Sequence, residues 1–286
     1  LRASHYITLA VAIILIALFY WGGNTIPPAK STVADKQQHA AGEMAQGPNT
    51  MKPASLDSII AGSTAQLPKT AADSVKTIEN ELSAIRDSSR MAVVFLRLSE
   101  IWRRNNQLFA AAYYRAKAAK LENSVKSLTF AGQFFLQLME REQNPSMRMW
   151  ESAEAISCLE RALKLEPNNE DITLALATGY IEGGGEPMKG VQMLLAITRE
   201  KPDDIPANLL LGRMSIKSGQ FDKAIGRYET VLKQEPENRE ALYFLAQAYE
   251  GKGNKQKAIE LLEKVKGVVN NPDFSREIDE HVKSLK

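Results

Sequence analysis

The residues with the most obvious chemical potential in this 286-residue chain are few, and each falls short of a catalytic pattern. Gly183-Gly184-Gly185 followed by Lys189-Gly190 invites a phosphate loop, whose backbone amides would cradle an anion. The Gly-Lys-Ser/Thr ending is missing and no strand precedes it, so an elongated inter-helix turn suffices. The carboxylate pairs Glu140/Glu142 and Asp203/Asp204 could in principle share acid–base work, but they stand at helix ends or turns where acids are solvated. No serine has a Gly-x-Ser-x-Gly context. Cys158, between Ile156 and Leu159, reads as a packed small hydrophobe rather than a reactive thiol. As the single cysteine it forms no intramolecular disulfide and no cysteine zinc site. His5, His39 and His281 are far apart, without a second ligand at metal-binding spacing. The expectation is a protein without catalytic residues, metal, cofactor or small-molecule substrate. Lys plus Arg (36) against Asp plus Glu (34) leaves +2, too little for a nucleic-acid footprint, and 44% hydrophobic with 24% charged residues is a globular composition.

If the chain binds rather than transforms, the elements that carry its surfaces matter. Tyr6 to Trp21 is a run of sixteen residues without a charge, roughly 24 Å as a helix. Tyr6 at one end and Tyr20 with Trp21 at the other suit the two membrane interfaces. A signal peptide is the competing reading, but no Ala-x-Ala-like site and no lipid-accepting cysteine follows Trp21. An uncleaved single-pass anchor in the cytoplasmic (inner) membrane is expected. Arg2 on one side and Lys30 and Lys36 on the other make the charge rule nearly silent. A short tail, one apolar span and a large remainder favour a body on the periplasmic, extracytoplasmic side.

Residues 24–73 hold five of the twelve prolines, balanced charges and no sustained apolar period, as a flexible linker does. Within it Leu56, Ile59 and Ile60 are either an accident of composition or a docking segment. The expected division is therefore an anchor over 1–23, a linker over 24–73 and a folded array over 74–286.

The array begins with Thr70 and Asp73 spaced as a capping box, followed by Val75, Ile78, Leu82 and Ile85 at helical intervals. Further on, Pro167, Pro202 and Pro236 are spaced by 35 and 34 residues, in the phrases Leu-Glu-Pro-Asn-Asn, Glu-Lys-Pro-Asp-Asp and Gln-Glu-Pro-Glu-Asn. A period of 34 belongs to a two-helix repeat. The clearest copy has Leu211-Gly212, Gly219, Ala224, Tyr228, Val231 and Pro236. The next has Leu245-Ala246, Tyr249, Gly253, Ala258, Leu262 and Val265, and an earlier one Leu176-Ala177, Tyr180, Gly190, Leu194, Ile197 and Pro202. These phrases resemble the tetratricopeptide repeat (TPR) family. Upstream, Leu98, Trp102, Asn106, Ala111 and Ala118 fit a degenerate copy. Another runs from Leu128, Ala131-Gly132 and Phe135 to Ala155, Leu159, Ala162 and Pro167, with about eleven extra residues around Gln143-Asn144-Pro145, to be absorbed by a longer first helix or an ordered loop. The resemblance covers Ala92 to Val269, and Phe274, Ile278, Val282 and Leu285 look like a capping helix.

The resemblance implies an all-α solenoid of about five helical hairpins, whose first helices line a concave partner groove. The family's contact positions fall on Leu96 and Glu100, Leu174 and Thr178, Leu209 and Arg213, and Tyr243 and Gln247. Leu174, Leu209 and Tyr243 stand where the family's chaperone carboxylate clamp has Lys or Asn. The groove therefore suits an amphipathic helix or an extended apolar segment, unless these side chains only pack between hairpins. Similarity to single-span TPR proteins of the bacterial envelope implies a scaffold or assembly factor bound to an integral membrane complex, or alternatively a chaperone-like accessory subunit of the protein translocon.

Overall fold

The computed structural model describes residues 52–183 and 185–286. The span from Tyr6 to Trp21 and most of the expected linker lie outside the described residues. Among the described residues no helix is long and apolar enough to cross a membrane. They form thirteen helices and no strand.

Two helices come first, α1 (Leu56–Ala65) and α2 (Lys69–Ala84). Five antiparallel hairpins follow: α3 (Ser88–Arg104) with α4 (Leu108–Glu122), α5 (Val125–Arg141) with α6 (Pro145–Leu165), α7 (Glu170–Glu182) with α8 (Pro187–Glu200), α9 (Ile205–Lys217) with α10 (Phe221–Gln234), and α11 (Arg239–Gly251) with α12 (Lys255–Val269). α13 (Pro272–Leu285) closes the series.

The repeated phrases work as punctuation. Each proline falls just after a second helix, which it cannot continue, and the last residue of the phrase caps the next first helix. Asn169 Oδ1 accepts from Ile172 N (3.1 Å), Asp204 Oδ1 from Ala207 N (2.8 Å) and Asn238 Oδ1 from Ala241 N (2.9 Å). Each cap satisfies one amide that the first turn leaves without a partner. In hairpins four and five the turn contains a left-handed residue, Gly219 (φ 70°) and, 34 positions on, Gly253 (φ 78°). Asn106 (φ 58°) does the same in the first hairpin.

Small residues set the separation of the two helices. In hairpin one Ala110, Ala111 and Ala118 of α4 are buried, and Ser99 Oγ of α3 donates to Ala111 O at 2.8 Å. In hairpin four a Cβ on Gly212 would lie 2.5 Å from Tyr228 Cζ, so the ring of α10 rests on bare backbone of α9. Large residues fill the space between hairpins: Tyr228, fully buried, stacks on Phe244 of α11 with centroids 6.0 Å apart. Both ends of the array are covered. Val75 and Ile78 of α2 pack with Phe95 and Leu98 of α3, and Ile278, Val282 and Leu285 of α13 pack with Ala246, Ala258 and Leu262.

Two expectations are corrected and a third is resolved. The capping box is absent: α2 starts behind Pro68 with no side-chain cap. Thr70 is already inside the helix, where its carbonyl accepts Ser74 Oγ. The linker does not extend to residue 73, because α1 occupies Leu56–Ala65 and docks on the body. Ile59 is buried among Ala112, Ala116, Phe135 and Trp150, and Ala54 N donates to Ser146 O at 2.9 Å. Ten residues containing Gly62 and several Ser and Thr are too few and too weak to hold a helix alone, so docking decides the conformation. Of the two ways to absorb the extra residues of hairpin two, the structure takes the longer first helix, and it lengthens the second helix as well. α5 has 17 residues where α7, α9 and α11 have 13, and α6 has 21 where α8 and α10 have 14. Asn144 Oδ1 accepts from Ser146 N (2.9 Å) and Pro145 opens α6, so the insertion is carried as additional helical turns on both arms.

Tyr228 and Leu262 are both fully buried. Tyr228→Ala or Leu262→Ala should each lower the unfolding free energy by about 2–5 kcal/mol, read from urea denaturation. Unchanged curves for both would contradict this packing.

Candidate protein-binding groove

The proposed contact residues sit on α7, α9 and α11, whose neighbouring faces pack on one another in that order. Leu174, Leu209 and Tyr243 are half-buried. Leu174 leans on the cluster of Ala177, Leu194 and Leu211, and Leu209 on that of Ala224, Tyr228 and Leu245. Tyr243 meets Phe244 edge-on (5.5 Å) and approaches Phe274 of α13 (6.5 Å). One side of each residue is therefore engaged in packing between hairpins, and the other remains open. Thr178 is half-buried with its Oγ1 donating to Leu174 O at 2.9 Å, an internal helix bond. Gln247 is half-buried on the same helix as Tyr243.

Arg213, one of the family's contact positions, is not a free cation. Its Nη2 lies 3.7 Å from Glu182 Oε1 of α7 and its Nε 3.7 Å from Glu240 Oε1 of α11. Glu182 also takes Lys217 Nζ at 3.2 Å. The charges of this face form a ladder, Lys217–Glu182–Arg213–Glu240, that crosses three hairpins and neutralises itself. At 3.7 Å the Arg213 contacts are ion pairs without hydrogen bonds, and its buried Nε has no hydrogen-bond partner.

The first two hairpins are arranged differently. α3 and α5 stand apart, and the space between them is a cavity of about 380 Å³ lined by Leu96, Glu100, Arg103, Arg115, Phe130 and Phe134. Glu100 is clamped by its own helix: Arg103 Nε and Nη2 each donate to it at 2.8 Å and Arg104 Nε at 2.7 Å. These bonds hold its carboxyl at about 2. Arg115 reaches over the ring of Phe130, 4.4 Å from its centroid, and has no carboxylate partner among the described residues. Phe130 is 51% exposed, with Phe134 6.4 Å away. Phe135, a position of the degenerate repeat copy, is fully buried, whereas Phe130 and Phe134 fall outside the repeat phrase. Their signal was available: two aromatics four residues apart share a face, and Phe130 falls where Lys126, Gln133 and Gln137 mark the solvated side of α5.

Four of the residues considered for catalysis have structural roles. Asp204 caps α9, and Glu142 Oε1 accepts from Asn144 N at 2.7 Å. Cys158 is fully buried, and burial pushes its thiol up to about 11. Lys189, near the glycine run, bonds Glu160 and Tyr180 and lies 4.1 Å from the Tyr180 ring centroid.

Comparison with known proteins agrees with the repeat architecture. Residues 215–276 match the tetratricopeptide repeat profile, and the described residues fold as a TPR-type all-α solenoid. A curated relative, cellulose synthase 1 operon protein C of Komagataeibacter xylinus, is 28% identical over 146 residues, covering 47% of this chain and 11% of the relative. The chain thus spans about a tenth of that protein's length. Among solved structures, a MamA protein aligns over 62% of this chain and 91% of its own at 20% identity (TM-score 0.46). YrrB, described as a TPR protein with an unusual peptide-binding site, aligns over 66% and 92% at 20% identity (TM-score 0.45). A thermophilic TPR protein of Thermus thermophilus aligns over 68% and 98% at 18% identity (TM-score 0.48). Likeness at this level carries no functional reading.

Packing and exposure separate the two halves of the groove. Phe130→Asp should change stability by less than about 0.5 kcal/mol. Leu209→Asp, which forces a carboxylate against the α10–α11 core, should cost about 1–3 kcal/mol. Thermal or urea unfolding of both variants checks the contrast.

Proposed function

We propose that this protein is a non-catalytic, membrane-anchored scaffold or assembly factor. It would hold an apolar segment of a protein partner against its first helices. The observation that carries this reading is the character of that face: half-buried Leu174, Leu209 and Tyr243 lie beside charges that already neutralise one another across α7, α9 and α11. Such a surface offers little to an ionic small molecule. It suits an amphipathic helix or extended hydrophobic stretch, with the half-buried Gln247 amide to fix its register.

The anchor belongs to the proposal through Tyr6 to Trp21, bounded by Tyr6, Tyr20 and Trp21. With the body on the non-cytoplasmic side, an integral membrane complex of that membrane is the partner class best placed to meet the groove. A chaperone-like accessory of the translocon would use the same surface with less selectivity.

Two measurements test the proposal. Leu209→Asp combined with Tyr243→Asp should abolish copurification of a stoichiometric partner in mild detergent, with helical circular dichroism retained. Retained copurification would move the interface to the membrane span, and capture of many unrelated apolar peptides in place of one partner would favour the chaperone reading. For topology, a cysteine at Lys36 should react with a membrane-impermeant thiol reagent while the cytoplasmic membrane is intact. Labelling only after lysis would put the body inside.

A further inference from the structure

Glu151 is fully buried, and neither of its carboxyl oxygens has a hydrogen-bond partner. It lies on α6, in the extra turns that lengthen hairpin two. One helical turn before it, Arg148 holds the tip of that hairpin together. Its Nη1 donates to Met139 O (2.6 Å) and Glu142 O (3.3 Å), and its Nη2 crosses to Glu182 O of α7 (3.2 Å). The guanidinium thus serves carbonyls at the C-terminal ends of both α5 and α7, which their own helices leave without donors. Two residues before Arg148, the Ser146 carbonyl receives Ala54 N, the clasp of the segment that leads into α1.

We infer that Glu151 is a proton-gated latch: while protonated it leaves Arg148 on the backbone carbonyls, and on losing its proton it draws Arg148 away and releases the hairpin tip together with the docked segment Ala54–Ala65. A neutral carboxyl costs far less in these surroundings than an anion, which requires a counter-charge. The turn after α5 presents Glu142, a like charge. α6 itself presents Arg148 and, further on, Glu154, which is held by Lys120 of α4 at 2.9 Å. α7 presents Glu182, whose carboxylate is turned to Lys217 and Arg213. Arg148 is therefore the cation available to an ionised Glu151, and three residues on a helix is a distance at which the two can pair. Burial pushes the Glu151 carboxyl up to about 8, with Glu142 adding to the rise and Arg148 opposing it.

The closed tip holds its proton up to about pH 8, whereas a released Glu151 would hold it only to the ordinary glutamate range near 4.5. Between those values the opening equilibrium should grow about tenfold per pH unit, and above the upper one it should level off.

Hydrogen–deuterium exchange of the full chain between pH 5.5 and 9, corrected for the intrinsic rate, tests this. Amides of 54–65 and 139–150 should lose protection about tenfold per unit up to pH 8, while amides of 239–269 stay flat. Glu151→Gln, or Glu151→Met should the first fold poorly, should abolish the dependence, and Arg148→Leu should leave both segments unprotected at every pH. Wild-type segments that follow 239–269 throughout would overturn the inference, as would a folded uncharged variant that keeps the wild-type pH profile.

Discussion

No hairpin in this array completes its own core, and the structure follows from that constraint. A two-helix unit has an apolar face wider than its partner helix can cover, so its large side chains are buried only when the next hairpin arrives. Tyr228 shows the arrangement: it rests on Gly212 within its own hairpin and on Phe244 in the following one. Because each unit depends on its neighbours, the two ends need elements with one apolar and one charged face. α2 and α13 have that form, and they carry the ion pairs expected of an outer surface, such as Arg97 with Glu81 at 3.0 Å and Lys266 with Asp279 at 2.7 Å.

The same dependence explains why the groove residues have two roles. Leu174, Leu209 and Tyr243 recur at the repeat period because packing between successive first helices recurs at that period. Any binding surface built from them inherits the spacing, about one side chain per hairpin. The charge ladder from Lys217 to Glu240 fits this economy. Exposed ion pairs contribute little to stability, but here they quench the charges that would otherwise flank an apolar strip.

The periodic part of the fold was legible because its signals are local and redundant. A proline that stops one helix, an Asn or Asp that caps the next and a Gly that turns left-handed each state the same boundary. The rest depended on tertiary contact. Nothing around Gln143-Asn144-Pro145 distinguishes a loop from continued helix until Arg148 is seen gathering the carbonyls of two hairpins. α1 is a weak helix former whose conformation is fixed by where Ile59 lands. At the site, the repeat phase pointed to Leu96, Glu100 and the later positions by family resemblance. It did not reveal that Glu100 is spent on Arg103 and Arg104, or that the parting of α3 from α5 exposes Phe130.

The docking of α1 across hairpins one and two also sets how the molecule would bear load. The described chain enters the body at the clasp between Ala54 and Ser146, past hairpin one, and only then doubles back through α1 and α2 to begin the repeats. Tension arriving from upstream is therefore applied first to one hydrogen bond and a ten-residue helix, not to the end of the solenoid. A pull on that side would load this short segment before it loaded any of the five hairpins, as a fuse takes current before the circuit behind it.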